Sequence, residues 1–490
     1  MTTSTANTHI FYSIWRNRLI RDSIRNYVCR DTLIDASIEY LNNNHRYLSQ
    51  FSYHDKVQYN IIIHCNIKDT DDVIGYVNSK HRDLIDRISI DDGVEVAIDN
   101  DDQQQQQQES EMIRYDCNLL HQGLRSLSFY NQYTSVGGKL PESIRELTIC
   151  SMDTDEISCP LVNMILAELP PQLERLSLPE GLKIDVPTCR LPDTLNDFEF
   201  ITTHKSFKPF VVPPNKVFKC TIDIQSNQDL QWLAHNTWVH QAMYSIDFDE
   251  NNPMPSHLTR VELYLIKTLR GDILPSSLTS LSIDDFVSLD GLLRPGLRKL
   301  ELYNYDNPLK QGHLPDSLTE LDLGCYNQPL EPFVLPKNLT RLRMESFNQD
   351  FQANTLPRSL SYLELESFKG SFEHVGPLDN ICGLTVFSLH KSVATLLQNV
   401  KKVEIRTDQI GKNVFLKDTA IQDLVLYNSS DTRYKLYPEF LPSALQKLKI
   451  RGFKKFENVL PTSCISLKTD MAKLNTKLIP SSVKITKLKN

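Results

Sequence analysis

The residues that could do chemistry are few and widely separated in this sequence. His64 and Cys65 form the closest nucleophile-like pair, but neighbours in a strand point to opposite faces. The acidic cluster of Asp69, Asp71 and Asp72 lacks the glycine and terminal glutamate of a calcium-binding loop. The sequence holds no H-E-x-x-H, G-x-G-x-x-G, P-loop or G-x-S-x-G motif. We therefore predict a protein that is not an enzyme and uses no cofactor or metal.

The element that must position any functional surface is a repeat of about 20 residues. Its pattern is L-P-x-[SN]-L-x-x-L-x-L, and it is clearest from Leu335 to Met344 and again from Leu356 to Leu365. In the most regular part, the prolines that mark the repeat are Pro255, Pro275, Pro295, Pro315, Pro336 and Pro357. Where the proline is missing, the L-x-x-L-x-L spacing predicts further units at Met243/Ile246/Phe248, Leu384/Phe387/Leu389, Val400/Val403/Ile405 and Ile421/Leu424/Leu426.

The spacing inside one unit indicates a strand followed by a turn. Leu321 and Leu323 are two residues apart, so a strand places both on one face and Asp322 on the other. The second half of the unit has apolar residues four apart, as in Tyr326 and Leu330, which suits a helical turn or a tight loop. One unit cannot bury its leucines alone, so we expect stacked units whose strands pair into a long parallel ribbon.

The fuller motif, Pro-x-Ser-Leu-x-x-Leu-x-Leu followed by Phe/Tyr-Asn-x-x-Leu, resembles the FNIP-repeat family, a short leucine-rich-repeat-like class. The best matches to its second half are residues 325–330 (C-Y-N-Q-P-L) and 346–351 (S-F-N-Q-D-F). The units at Phe286 and Phe368 depart from the Phe-Asn core, which predicts a discontinuous asparagine ladder. The resemblance runs from about Leu124 to the C-terminus. It implies a leucine-rich-repeat-like solenoid that binds other proteins and carries no catalytic residues.

We predict two regions and one insertion. Residues 1–55 form a small helical N-terminal region, because apolar residues between Ile10 and Val28 recur at helical spacing. Residues 56–490 form the solenoid, of α/β repeat type, with a parallel strand ribbon and an irregular or short-helical back. An acidic, polyglutamine-containing insertion at about 93–112 cannot bury a core and is expected to be disordered. The N-terminal region could cap the open end of the solenoid. It could instead be a degenerate F-box-like adaptor that docks to a ubiquitin ligase.

Composition limits the compartment and the partners. There is no run of about 18 apolar residues that could span a membrane, and no secretory signal at the start. The ten cysteines contain no C-x-x-C pair, so we expect reduced thiols in a cytoplasmic protein. The net charge is −8, yet residues 441–490 hold eleven Lys or Arg against two Asp or Glu. Nucleic-acid binding through this basic end is a further alternative, but few aromatic residues accompany the lysines.

The predicted binding surface is the concave strand face of the middle units, where such solenoids usually bind partners. The candidate residues point away from the leucine core and are Glu262, Tyr264, Asp284, Glu301, Tyr303, Asp322, Arg343, Glu345, Glu364 and Glu366. Because acids outnumber bases on this face, the expected partner is a protein with a basic surface. An ordinary solvated face remains the alternative. We expect no membrane contact and no small-molecule substrate, and the oligomeric state stays open.

Overall fold

The computed structural model describes residues 18–91, 114–130, 135–150, 159–246, 253–264, 269, 272–284, 288–411, 413–428, 430, 435–436, 439–453, 455–471 and 473–488. The predicted insertion at 93–112 therefore lies outside the described residues. The chain divides into two compact units, one of Met1–Asp223 with Gln231–His240 and the other of Ile224–Leu230 with Gln241–Asn490. Both units are built from short parallel strands.

The first unit is a parallel ribbon with helices on several of its connections. Its strands are β1 (Leu33–Asp35), β2 (Ile62–Ile67), β3 (Arg87–Ile90), β4 (Arg114–Asp116), β5 (Ser126–Tyr130), β6 (Ser135–Gly137), β7 (Glu146–Cys150), β8 (Arg175–Ser177), β9 (Cys189–Arg190), β10 (Asp197–Glu199), β11 (Ile201–Thr202), β12 (Phe210–Val211) and β13 (Phe218–Ile224). A seven-stranded sheet has the order β1-β2-β3-β5-β7-β8-β10. The short strands pair in parallel as β4 with β6, β9 with β12 and β11 with β13.

The helices occupy connections between strands. They are α1 (Arg18–Cys29), α2 (Ile38–Leu48), α3 (Tyr53–Gln58), α4 (Thr70–Asn78), α5 (Pro160–Ala167), α6 (His204–Phe207), α7 (Asn227–His235) and, far along the chain, α8 (Val393–Leu396). Short 3-10 turns lie at Arg82–Leu84, Cys117–Leu119 and Thr476–Leu478. Ser37 caps α2 by accepting a hydrogen bond from the Tyr40 amide at 3.1 Å. Ser52 and Asp55 form a capping box at the start of α3.

The ribbon begins earlier than the predicted boundary at residue 55. Strand β1 pairs in parallel with β2, with Leu33 opposite Ile62 and Asp35 opposite His64. Helix α2 buries Ile38, Leu41 and Leu48 between these two strands in sequence, as a repeat connection does. The three residues of β1 are too few to show an alternating pattern, which is why the sequence pointed only to helices here.

The second unit continues the same architecture with more regular spacing. Its strands are β14 (Val239–Tyr244), β15 (Arg260–Leu263), β16 (Ser280–Ile283), β17 (Lys299–Leu302), β18 (Glu320–Leu323), β19 (Arg341–Arg343), β20 (Tyr362–Leu365), β21 (Gly383–Leu389), β22 (Lys402–Ile410), β23 (Asp423–Asn428), β24 (Lys435–Leu436), β25 (Lys447–Arg451), β26 (Lys455–Phe456), β27 (Ser466–Thr469) and β28 (Lys484–Lys487). From β14 onward each strand pairs in parallel with the next, except that β24 and β26 pair only with each other and the main ribbon passes from β23 to β25, β27 and β28. The predicted parallel-strand solenoid is therefore confirmed.

The core is a set of leucine rows that run across the strands. Leu281, Leu300, Leu321, Leu342 and Leu363 are consecutive cross-strand partners, and each is at most 1% exposed. Each row buries apolar area that no single unit could cover. This is the row that the repeat predicted.

Two units without a proline have a different register from the prediction. The repeat spacing in the first is Ile381/Leu384/Val386 instead of Leu384/Phe387/Leu389; Leu384 and Leu389 are buried as predicted, but Phe387 is only half-buried. In the second, the buried set is Val239/Ala242/Tyr244 instead of Met243/Ile246/Phe248; Met243 lies opposite Glu262 on the outer face, and Phe248 lies outside the described residues. Both segments are apolar at several offsets, so spacing alone does not choose the inward face. Pairing with the neighbouring strand determines which residues face the core.

The Ser that recurs in the repeat pattern donates a hydrogen bond to the preceding repeat. The Ser277 hydroxyl donates to the Leu258 carbonyl at 2.6 Å, and the Ser317 hydroxyl donates to the Leu297 carbonyl at 2.7 Å. The Ser359 hydroxyl does the same to the Leu339 carbonyl at 2.6 Å. These bonds satisfy turn carbonyls that the strand ladder does not reach. They also fasten each turn to the preceding unit.

The back of the middle units is held by stacked rings and an amide ladder. Ring centroids lie 6.4 Å apart for Tyr305–Tyr326 and for Tyr326–Phe347, and 6.3 Å apart for Phe347–Phe368. Beside the rings, the Asn327 amide donates to Asp306 Oδ1, the Asn348 amide to Asn327 Oδ1, and the Lys369 amide to Asn348 Oδ1. These bonds are side chain to backbone and repeat once per unit, and among the described residues they end where Lys369 replaces asparagine.

Candidate protein-binding face

The ten predicted residues lie on or just after strands β15 to β20, on the side opposite the leucine rows. We call this surface the acidic face; it comprises the ten residues together with Arg260, Lys299, Glu320, Arg341 and Tyr362. One row crosses the strands as Glu262, Ser282, Glu301, Asp322, Arg343 and Glu364, each opposite the next. Neighbouring side chains in the row are spaced by the strand separation of about 4.8 Å.

Arg343 is the centre of the charge network on this face. Its guanidinium nitrogens lie 3.2 Å from Asp322, 3.3 Å from Glu345 and 3.1 Å from Glu366, and 4.0 Å from Glu364. The hydrogen bond to Glu366 and the charge of Asp322 raise the pKa of Arg343 above its usual range. One cation therefore offsets part of the charge of several carboxylates from three adjacent strands.

The other cations of the face are also paired. Lys299 lies 2.7 Å from Glu301, and Arg260 lies 2.9 Å from Glu262. Arg341 lies 3.5 Å from Glu364 and 4.5 Å from the ring centre of Tyr362. The carboxylates nearest the strands thus already have partners within the chain.

Burial disfavours the charged form of Asp322. Its side chain is only 18% exposed, and its Oδ1 is buried without a hydrogen-bond partner among the described residues. Burial raises the pKa of Asp322 although Arg343 acts in the opposite direction, and Glu301 and Glu364 add to the rise. Likewise, burial and the adjacent Glu262 raise the pKa of Tyr264 to about 12, and the Tyr264 hydroxyl donates to Glu262 at 3.0 Å.

The groups that remain available to a partner lie at the rim of this network. Glu320 is exposed and has no ion pair among the described residues, while Glu345 and Glu366 are 53% and 44% exposed at the side chain. Tyr303 is 38% exposed. Asp284 is half-buried, and its carbonyl accepts a hydrogen bond from the Asn304 amide group at 2.6 Å.

Tyr362 belongs to this face although the sequence did not single it out as a site residue. Its ring lies over Gly383 of the next strand, where an added Cβ would come within 2.5 Å of the ring. Glycine at that position leaves room for the ring to lie flat across β21. The signal in the sequence is the glycine itself, which stands where other units have a larger outward residue.

In the first unit, His64 does not act with Cys65. Cys65 is fully buried, and burial raises the pKa of its thiol to about 12. His64 instead lies 2.8 Å from Asp35 through Nδ1 and 3.0 Å from the Ser89 hydroxyl through Nε2. Such a trio resembles a nucleophile–base–acid chain, but acyl transfer also needs donors for an oxyanion. Strand β3 is paired on both sides at Ser89, so its backbone serves the ladder, and we interpret the trio as a polar brace across three strands.

A second polar cluster braces the same strands from inside. Lys56, which is 7% exposed at the side chain, lies 2.9 Å from Asp86 and donates to the Leu84 carbonyl at 2.8 Å. Arg125 lies 3.2 Å from the other oxygen of Asp86. Sequence spacing gave no signal for this cluster because its three members lie in three different repeats.

Several classes of site find no support among the described residues. No group of three or more His, Cys, Asp or Glu in this part of the chain could hold a metal ion. No helix within the described residues is long and apolar enough to cross a membrane. All ten cysteines are described and all are free thiols.

Trp232 and Trp238 pack against each other and against Phe207, with ring centroids 5.5–5.9 Å apart.

The comparison with protein families agrees with the repeat. The FNIP repeat model matches residues 289–325 and 326–368, so the chain carries two adjacent FNIP repeats. No curated protein sequence matches the chain. Among solved structures, the chain is similar to CroV588, described as a novel circular LRR protein, with 17% identity over 85% of this chain and 67% of that one and a TM-score of 0.39.

Proposed function

We propose that this FNIP-repeat solenoid is a non-enzymatic scaffold that binds another protein on the acidic face, and that the partner presents a basic surface. The observation that supports this most is the excess of carboxylates over cations on one continuous face. Arg343 is shared by four carboxylates, while Glu320 has no ion pair among the described residues. The free cysteines suit a cytoplasmic location, which is part of the proposal.

The acidic face increases the rate of association with the partner more than it increases the affinity. A single exposed charge contributes little to affinity. A row of like charges spaced by less than a Debye length adds its fields and accelerates association with an oppositely charged surface. Tyr303 and Tyr362 add exposed aromatic area of the kind enriched at protein interfaces.

The test is a charge reversal at the exposed rim, which leaves Arg343 and the half-buried carboxylates in place. Partners are first recovered with the wild-type chain, and association rates are then measured over a salt series. The triple variant Glu320→Lys, Glu345→Lys, Glu366→Lys should associate about tenfold or more slowly at low salt. The matched control is Glu331→Lys, Asp350→Lys, Glu373→Lys, which makes the same charge change at exposed turn positions. Equal rates for the two triple variants would show that the acidic face is only a solvated surface.

A second candidate function is supported by helix α1. Leu19, Tyr27 and Val28 are 80%, 92% and 66% exposed, an unusual density of large apolar side chains on one short helix. This favours the alternative of a ligase adaptor in which α1 docks to another subunit. The double variant Leu19→Ser, Tyr27→Ser should then lose ubiquitin-ligase subunits in a pull-down and keep other partners. Tyr47→Ser on α2, where the side chain is 71% exposed, is the control.

A further inference from the structure

The outer face near the end of the second unit has the opposite character. We call it the basic face; its residues are Arg406, Tyr427, Lys447, Lys449, Arg451 and Lys468, on strands β22, β23, β25 and β27. The register places Val425, Lys449 and Lys468 in one row and Arg406, Tyr427 and Arg451 in the next. These side chains therefore form one patch on neighbouring strands.

The basic face contains a like-charge pair that costs stability. Lys449 and Lys468 lie directly opposite each other on adjacent strands, and like charges in that position are destabilising. Arg406 is paired with Glu404 at 2.7 Å, and Asp423 lies opposite Lys447 on the adjacent strand. Among the described residues, however, no carboxylate forms an ion pair with Lys447, Lys449, Arg451 or Lys468. An anion bound close to both lysines would relieve this repulsion.

Tyr427 lies within the patch and holds the cations in place. Its ring centre is 5.4 Å from the Arg406 guanidinium and 5.2 Å from the Lys449 ammonium. Tyr427 lies on β23 and Lys468 on β27, on opposite sides of β25, so the half-buried ring holds the Lys449 ammonium within the patch on the β23 side. The patch is therefore partly preorganised, which lowers the entropy lost on binding.

We propose that the basic face binds an acidic segment of a partner protein, with its carboxylates beside Lys447, Lys449, Arg451 and Lys468. This inference rests on the proposed function, that the outer strand face binds a protein, and adds the chemistry of a second contact. A partner that meets both faces of the ribbon carries a basic region and an acidic segment.

The surroundings of the patch favour a peptide over a nucleic acid. The row of Lys449 reaches Glu404 within two strands, so only a short anionic segment can follow this row before it meets negative charge. Tyr427 is the patch's single aromatic residue, whereas binding of single strands relies on several stacking rings. A short acidic segment needs neither a long basic row nor several stacking rings.

The experiment measures binding of a defined probe to the full chain by fluorescence anisotropy. The probe is a fluorescein-labelled peptide of Asp and Glu residues, and an amide-matched peptide of Asn and Gln is the negative control. The double variant Lys449→Glu, Lys468→Glu should bind the acidic peptide about tenfold or more weakly. The matched control, Lys310→Glu with Lys391→Glu, changes the charge equally at exposed turn positions and should bind like wild type. Lys449→Arg with Lys468→Arg should retain binding.

Three outcomes would overturn the inference. The first is the absence of saturable binding of the acidic peptide to the wild-type chain. The second is an equal loss in the control variant, which would reduce the effect to overall charge. The third is tighter binding of a single-stranded oligonucleotide of the same net charge, lost in the Lys449/Lys468 double variant, which would assign the face to nucleic acid. Because this assay needs no native partner and alters no residue of the acidic face, its failure is distinguishable from failure of the proposed function.

Discussion

The acidic face and the basic face are two stretches of one ribbon with the same interior and opposite exteriors. Beneath both lie leucines that are almost completely buried, Leu342 in one and Leu448 in the other. On the outer side, Arg343 is shared by four carboxylates, whereas Lys449 lies opposite another lysine. The difference shows that the ladder and the leucine rows fix the strand, while the outward positions are free to carry a function.

The largest expected effect tests whether the interiors are truly equivalent. Leu342→Ala and Leu448→Ala should each lower the free energy of unfolding by about 2–5 kcal/mol, because each leaves a cavity in a fully packed row. Chemical denaturation with full-length protein measures both.

A clear inequality between these two variants would break the comparison, since it would mean that one stretch of the ribbon is packed less tightly. Gln352→Ala, at an exposed loop position, controls for effects of mutation alone.

The next largest effect is a loss of stability that distinguishes the acidic face from the basic face. Arg343→Met keeps much of the side-chain stem but leaves several carboxylates without their shared cation. We expect a loss of about 1–2 kcal/mol, between the values for exposed and buried ion pairs. Arg451→Met on the basic face should change stability by no more than about 0.5 kcal/mol. Equal losses would show that Arg343 is not the centre of a network, and high salt should shrink the difference between the two variants.

The smallest expected effects are changes in the free energy of unfolding that have opposite signs on the two faces. Lys449→Glu should raise the free energy of unfolding by about 0.2–1 kcal/mol, because it replaces a like-charge cross-strand pair by an opposite-charge pair with Lys468. Lys299→Glu should lower it by a similar amount, because Lys299 lies opposite Glu320 and beside Glu301. A destabilised Lys449→Glu would remove the argument that the basic face sacrifices stability for binding.

The sequence predicted the ribbon best where a proline marks the unit. Units at Pro315, Pro336 and Pro357 have the expected leucines in the core, because the proline and the Ser or Asn two residues later fix where the turn ends. Without the proline, the unit around Leu384 offered two apolar registers, and only pairing with β20 selected Val386 over Phe387.

The positions of the candidate site residues followed from alternation, but their interactions did not. Period-two alternation places Asp322, Arg343 and Glu364 on one face. That Arg343 reaches carboxylates on three strands depends on side-chain conformations and on register between units, which no single unit encodes. The same holds for the contact of Lys449 with Tyr427, whose strands are separated in sequence by the β24 segment.

The serine and asparagine bonds between units have an evolutionary consequence. Each joins a donor to an acceptor one unit away, as from Ser359 to the Leu339 carbonyl and from the Asn348 amide to Asn327. Duplication or loss of one whole unit therefore leaves every donor facing an equivalent acceptor and every leucine row unbroken. A gene encoding such a chain can lengthen by in-frame copying, and the copied outward residues can diverge with only small changes in stability. An acidic stretch and a basic stretch on a single ribbon are the outcome that this freedom permits.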